Sequence, residues 1–128
     1  MNVVNKGVTD RAGTLPIFTK TFDFITWLIN ATKNFPRSQR FLVTKRLVDA
    51  GLNFQERLIE ANTFQGRARL KNLDQADAEL DKVRLYLRLA AKWAWLSTGQ
   101  YEHAAGRVAE IGRILGGWKR IMRQPARG

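Results

Sequence analysis

Cysteine is absent from all 128 residues, which removes disulfide bridges, thiolate metal sites and thiol nucleophiles together. Histidine occurs once, at His103, with no obvious nucleophile beside it, so it reads as a surface or capping residue rather than a catalytic base. No apolar run approaches the roughly 18 to 20 residues needed to span a bilayer. The opening "MNVVNKGVTDRAGTLP" lacks the basic-then-apolar layout of a secretion signal. These absences lead us to expect a protein of the reducing cytoplasm, with no membrane contact. Nothing alternates at period two for long enough to make a strand. Acids are scarce as well, at 11 against 22 Lys and Arg.

What remains is helical pattern and positive charge. Apolar residues make up 45% and charged residues 26%, enough for one globular domain with a single core. The net charge of +11 attracts polyanions: nucleic acid, an acidic protein face or an anionic membrane surface. The excess is unevenly placed. Ten basic and two acidic residues follow Asp81, against twelve and nine up to it.

Four helical segments follow a tail over 1–16 that we expect to be flexible. In the first, from Ile17 to about Lys33, Phe18, Phe22, Ile25 and Ile29 recur at helical spacing. "NFPRSQ" interrupts it, since a residue before proline avoids helical angles. The second segment runs from about Pro36 or Arg37 to Asn62 or Phe64. "FQGRARLKN", part of which could extend either flanking helix, connects it to a third, about Leu73 to Leu96, which Asp74 and Asp77 would open as an acidic first turn. "STGQ" would end the third, with Gly99 as the stop. The fourth covers about Tyr101 to Met122 or Arg123, and 124–128 form a C-terminal tail. Short connections favour antiparallel neighbours, so the expected fold is all-α: an up-down four-helix bundle over 17–123.

The second segment carries two apolar stripes at 100° per residue. Val43, Leu47, Phe54 and Leu58 form one, with Ala50 and Ala61 beside it. Phe41, Val48, Leu52 and Ile59 form another. The second stripe serves either a neighbour within the subunit or, if exposed, a subunit interface.

The third and fourth segments carry the charge. Arg84, Arg88 and Lys92 return to one sector of the third helix, and Trp95 follows them there, the one tryptophan placed to stack on a base. Asp81 can reach Arg84, but Arg88 and Lys92 have no acid three or four residues away. In the fourth, Val108, Ile111, Leu115, Trp118 and Met122 step 3, 4, 3, 4 as a core stripe. Arg113, Lys119, Arg120, Arg123 and, if the helix lasts, Arg127 lie opposite, together with Gly112 and Gly116. Glycine inside a helix costs about 1 kcal/mol relative to alanine, so a side chain, backbone or phosphate approaching there would account for it. Asp74, Asp77 and Asp81 share a face and could in principle hold Mg²⁺, but an acidic helix start is the simpler reading. No metal or other cofactor is expected, and the glycines of "GRVAEIGRILGGWK" match no phosphate loop or dinucleotide fingerprint.

"FPRSQRFLVTKRLVDAGLNFQERLIEAN" followed by "LDKVRLYLRLAAKWAWLSTGQYEHAAGRVAEIGRILGGWKR" resembles the accessory variability determinant proteins of diversity-generating retroelements. These are four-helix bundles related to proteins encoded in intervening sequences of bacterial 23S ribosomal RNA genes. "RLYLRLA" and "EIGRILGGW" are the most specific pieces, and the likeness spans about Phe18 to Arg123. It implies a homopentameric barrel, without chemistry of its own, that binds RNA and/or DNA. It also implies association with the element's reverse transcriptase, in the cytoplasm of a bacterial or phage-infected cell. The motif arginines fall on Arg84, Arg88 and Arg113; helical geometry adds Lys92, Arg120 and Arg123. The pentamer would also occupy Phe41, Val48, Leu52 and Ile59. The alternative is an adaptor of the intervening-sequence type that meets an acidic protein or ribosomal RNA.

Overall fold

In the computed structural model, which describes residues 15–124, four helices follow one another with no strand among the described residues. They are α1 (Leu15–Thr32), α2 (Lys45–Thr63), α3 (Gly66–Lys92) and α4 (Thr98–Arg123). The main contacts run α1 to α2, α2 to α3, α3 to α4 and α4 back to α1, so the helices close a ring around one core. Each runs against its neighbours, as an up-down bundle requires. Asp74 in the first half of α3 meets Arg123 at the end of α4, and Lys20 near the start of α1 meets Glu110 well along α4. The expectation for the tail over 1–16 falls outside the described residues as far as residue 14; helix begins at Leu15.

The core is built from the expected stripes of α2 and α4. Leu47, Ala50, Phe54, Leu58 and Ala61 are buried on α2, and Val108, Ile111, Leu115 and Trp118 on α4. In α1 the stripe is rotated from the expected one. Ile17, Thr21, Phe24 and Leu28 point inward with Phe18 and Ile25, whereas Phe22 and Ile29 face outward. Thr21 sits on the buried line, which hides that line from a purely apolar pattern.

The connections correct three expectations. The second segment is not one helix from Pro36. A 3₁₀ turn (Arg37–Gln39) and a π-helical stretch (Arg40–Thr44) precede α2, and Leu42 leaves the helical region at φ −115°, ψ −105°. Most of "FQGRARLKN" is helix, so the α2–α3 connection shrinks to Phe64 and Gln65, and α3 opens on Gly66 at φ 60°. Glycine alone takes that left-handed angle without steric cost. The side chain of Arg69, almost fully buried, folds back over the end of α2. Its Nε–H donates to the carbonyls of Ala61 and Phe64, both at 2.8 Å, and its Nη2 to that of Asn62 at 3.3 Å. The last carbonyls of a helix have no partner within it, and here a guanidinium supplies one.

"STGQ" starts α4 rather than ending α3. Ser97 caps the new helix: its hydroxyl accepts from the Gln100 N–H, and its own N–H donates to the Gln100 side chain at 2.9 Å. The stop of α3 is Ala94 at φ 60°, where the Trp95 N–H bonds the Ala90 carbonyl and the Ala94 N–H that of Ala91. That is the hydrogen-bond pattern of a Schellman cap, with alanine where glycine is usual. Gly99, the expected stop, lies in the first turn of α4.

Candidate nucleic-acid interface

The seam of α3 and the polar arc of α4 meet along one side of the bundle. Because α3 begins at Gly66, Asp74 and Asp77 are not its first turn but stand in its body, opposite the last turns of α4. Lys119 Nζ lies 2.8 Å from Asp77 and 3.1 Å from Asp74, and Arg123 Nη2 lies 2.8 Å from Asp74. Only 13% of the Lys119 side chain is exposed. Burial alone would lower its pKa, but hydrogen bonds to the two carboxylates outweigh that and raise it. Two of the basic residues expected to stand free on α4 are therefore balanced by acids of α3.

Further along α3 the balance changes. Arg84 pairs with Asp81 through Nη1 at 2.7 Å, the contact expected from the sequence. Its Nη2 lies across α4 at Gly112, where a Cβ would come within 2.6 Å of it. The expectation that something approaches the glycines of α4 thus holds at Gly112; at Gly116 the space is open. Of the two acids after Asp81, Glu110 is turned toward α1, where Lys20 bonds it at 2.8 Å and lowers its pKa. Arg88, Lys92, Arg107, Arg113 and Arg120 are exposed and have no ion pair among the described residues. Arg107 was not singled out in the sequence, since it lies off the apolar stripe and outside the two arginine motifs.

Arg84 and Arg88 are brought together on a groove of about 290 Å³ between α3 and α4. Leu87 and Val108 line its apolar part with Ala105 and Ala109, and Tyr101 stands at its side. The tryptophan expected to stand open for stacking is not the most exposed one. Trp95 is half-buried, its ring 5.7 Å from Phe35 and 5.2 Å from Trp93. Trp93, 53% exposed, is the tryptophan that meets solvent. His103 is exposed at the start of α4, its ring 5.1 Å from Trp27. Among the described residues no three His, Cys, Asp or Glu side chains gather where they could hold a metal ion. Asp74, Asp77 and Asp81 are each occupied by a cation of the protein.

The second stripe, with Phe41 in the π-helical stretch and Val48, Leu52 and Ile59 on α2, lies outside the core. Phe41 is 77% exposed, Leu52 and Ile59 are exposed, and Val48 is half-buried. Arg40 stacks its guanidinium over Phe41 at 5.9 Å from the ring centre. No helix among the described residues is long and apolar enough to cross a membrane.

The family model described as bAvd-like matches residues 15–122, nearly all of the bundle. The chain belongs to the bAvd-like family. Avd denotes the accessory variability determinant, so the resemblance of "RLYLRLA" and "EIGRILGGW" pointed to the right family. Among solved structures, this bAvd-like chain is similar to a protein of unknown function from the S23 ribosomal protein family of Bacteroides thetaiotaomicron. The two share 21% identity and a TM-score of 0.75 over 87% of this chain and 98% of that one. At that identity the likeness concerns the bundle fold. No curated protein matches the chain.

Proposed function

We propose that this bAvd-like protein is a non-catalytic nucleic-acid-binding subunit that works beside a retroelement reverse transcriptase, holding its template RNA or the cDNA copied from it. The observation that carries this reading is the exposed set Arg88, Lys92, Arg107, Arg113 and Arg120, on two adjacent helices whose Asp74, Asp77, Asp81 and Glu110 each hold another cation. Family membership supports the partner, and the exposed stripe of Phe41, Val48, Leu52 and Ile59 supports assembly of several copies, five in the barrel that the resemblance implies.

A phosphate-based interface fixes the test. Titration with RNA and with DNA should give affinities that fall with salt, by roughly 0.7 to 0.9 log units per decade for each phosphate neutralised. Arg88→Gln with Arg113→Gln should flatten that slope by about two such units. Affinity independent of salt, or no retention of RNA or DNA at low ionic strength, would overturn the proposal.

A second reading takes the same surface as the seat of an acidic protein. Arg84 favours it, since its guanidinium already holds the carboxylate of Asp81 at 2.7 Å. Under that reading, Arg84→Ala with Arg88→Ala leaves RNA binding intact and abolishes capture of the partner.

A further inference from the structure

A row of surface cations explains attraction to phosphate but not a concave, apolar-floored slot beneath it. The groove between α3 and α4 holds about 290 Å³, at the lower limit of small-molecule sites. Its depth comes from Ala105 and Ala109, whose short side chains leave open what larger residues would fill, above the buried Leu87 and Val108. Tyr101, half-buried, supplies an aromatic wall, and Arg84 and Arg88 stand on the opposite helix.

The two arginines differ in freedom. Arg84 is held from both sides, by Asp81 through Nη1 and by seating of Nη2 against the bare backbone of Gly112. Arg88 is exposed and has no carboxylate partner among the described residues. A flat apolar body is suited to the floor and the tyrosine, and an anion to the rim. A nucleotide unites the two: its base is planar and apolar on its faces, and its phosphate is anionic.

Resting on the nucleic-acid reading above, we propose that the α3–α4 groove is a pocket for one unpaired nucleotide, taking the base against Tyr101, Leu87 and Val108 and the phosphate on Arg88 and the pre-set Arg84. The bases of a duplex are stacked on each other and paired, so they cannot enter such a slot without being extruded. Phosphate contacts alone treat the two forms more nearly alike. The pocket therefore gives this basic surface a preference for single strands. One stacked base is worth roughly 5- to 150-fold in affinity.

The test compares the full chain with Ala109→Phe and Gly112→Ala, using a labelled single-stranded oligonucleotide and the duplex of the same sequence at fixed salt. Ala109→Phe fills the slot without removing a charge. It should erase the single-strand preference while duplex affinity and salt slope stay as in the wild type. Gly112→Ala displaces the Arg84 guanidinium yet favours the helix, so it should weaken single-strand binding without lowering the melting temperature. Equal wild-type affinity for both forms, or a preference that survives Ala109→Phe, overturns the pocket while the phosphate interface stands. Failure of both forms to bind at low salt overturns the pocket and the interface together. Displacement of an acidic aromatic peptide by Ala109→Phe, with oligonucleotide binding unchanged, would assign the slot to a protein partner and overturn it too.

Discussion

Lys119 of α4 and Asp77 of α3 form an ion pair 2.8 Å long across 42 residues of sequence, with Asp74 and Arg123 extending it. The pair fixes the alignment of the two helices that carry the charge. It also sets which cations remain for a ligand.

Stability at high pH should depend on this pair. The pKa of Lys119 is raised, so its contribution is complete below the unfolded value of about 10.4 and is lost as pH rises through the higher folded value. Wild type should therefore lose more stability than Lys119→Met above about pH 10.4, read by chemical denaturation. The acid side has the opposite sign. Lys20 lowers the pKa of Glu110, so that contribution is present above about pH 4.3 and is lost as pH falls. Both side chains are 36% exposed, which keeps the effect small; Lys20→Met should show a slightly weaker acid dependence of Tm.

Releasing the two cations should strengthen polyanion binding. Asp74→Asn with Asp77→Asn raises the net charge of +11 by two and leaves Lys119 and Arg123 without carboxylates. The double variant should lose about 1 to 2 kcal/mol of stability, the pair being half-exposed on its acidic side. In the same variant, RNA affinity should rise and its salt slope steepen. Weaker binding would mean that these carboxylates belong to the interface itself.

The α2–α3 corner rests on Arg69. Arg69→Met keeps the buried stem but strands the carbonyls of Ala61, Asn62 and Phe64, which should cost about 3 kcal/mol. Arg69→Lys should restore only part of this, because an ammonium lacks the planar fork that reaches several carbonyls at once. Urea denaturation of both variants gives the comparison.

The α3–α4 corner should respond in two directions. A left-handed alanine costs about 1 to 2 kcal/mol, so Ala94→Gly should stabilise the bundle by about 1 kcal/mol. Ser97→Ala removes the cap of α4 and should destabilise by a similar amount. Thermal melts of the single variants separate the two.

Assembly is tested on α2. Leu52→Lys with Ile59→Lys alters two exposed side chains, so the subunit should keep its stability to within about 0.5 kcal/mol. If the stripe seals an interface, the variant sediments as a single chain while the wild type sediments as a larger particle. Equal sedimentation of the two would remove the stripe from the interface.

Helix number, helix order and the core faces of α2 and α4 were legible because burial imposes a 3.6-residue period that survives in Leu47, Phe54 and Leu58 and in Val108, Ile111 and Leu115; the face of α1 was not, because Thr21 interrupts its apolar line. The ends were less so. "STGQ" contains both a stop signal and a start signal, and only the backbone angle of Ala94 shows that the stop was already made. "FQGRARLKN" looks like a linker because it is polar. Arg69 in its midst reaches back to the end of α2, a contact between helices that the local pattern does not show. The Asp81–Arg84 contact was readable at i+3. Asp77–Lys119 was not, because it requires the register between α3 and α4.

Arg69, Lys119 and Arg123 all fasten the same end of the bundle, where α2 turns into α3 and α4 finishes. The far end has the irregular stretch from Arg37 to Thr44 and a helix stop made by a reluctant alanine. Such a molecule is clasped below by charged side chains and closed above by irregular backbone. At that upper rim Phe41 and Trp93 stand out in solvent.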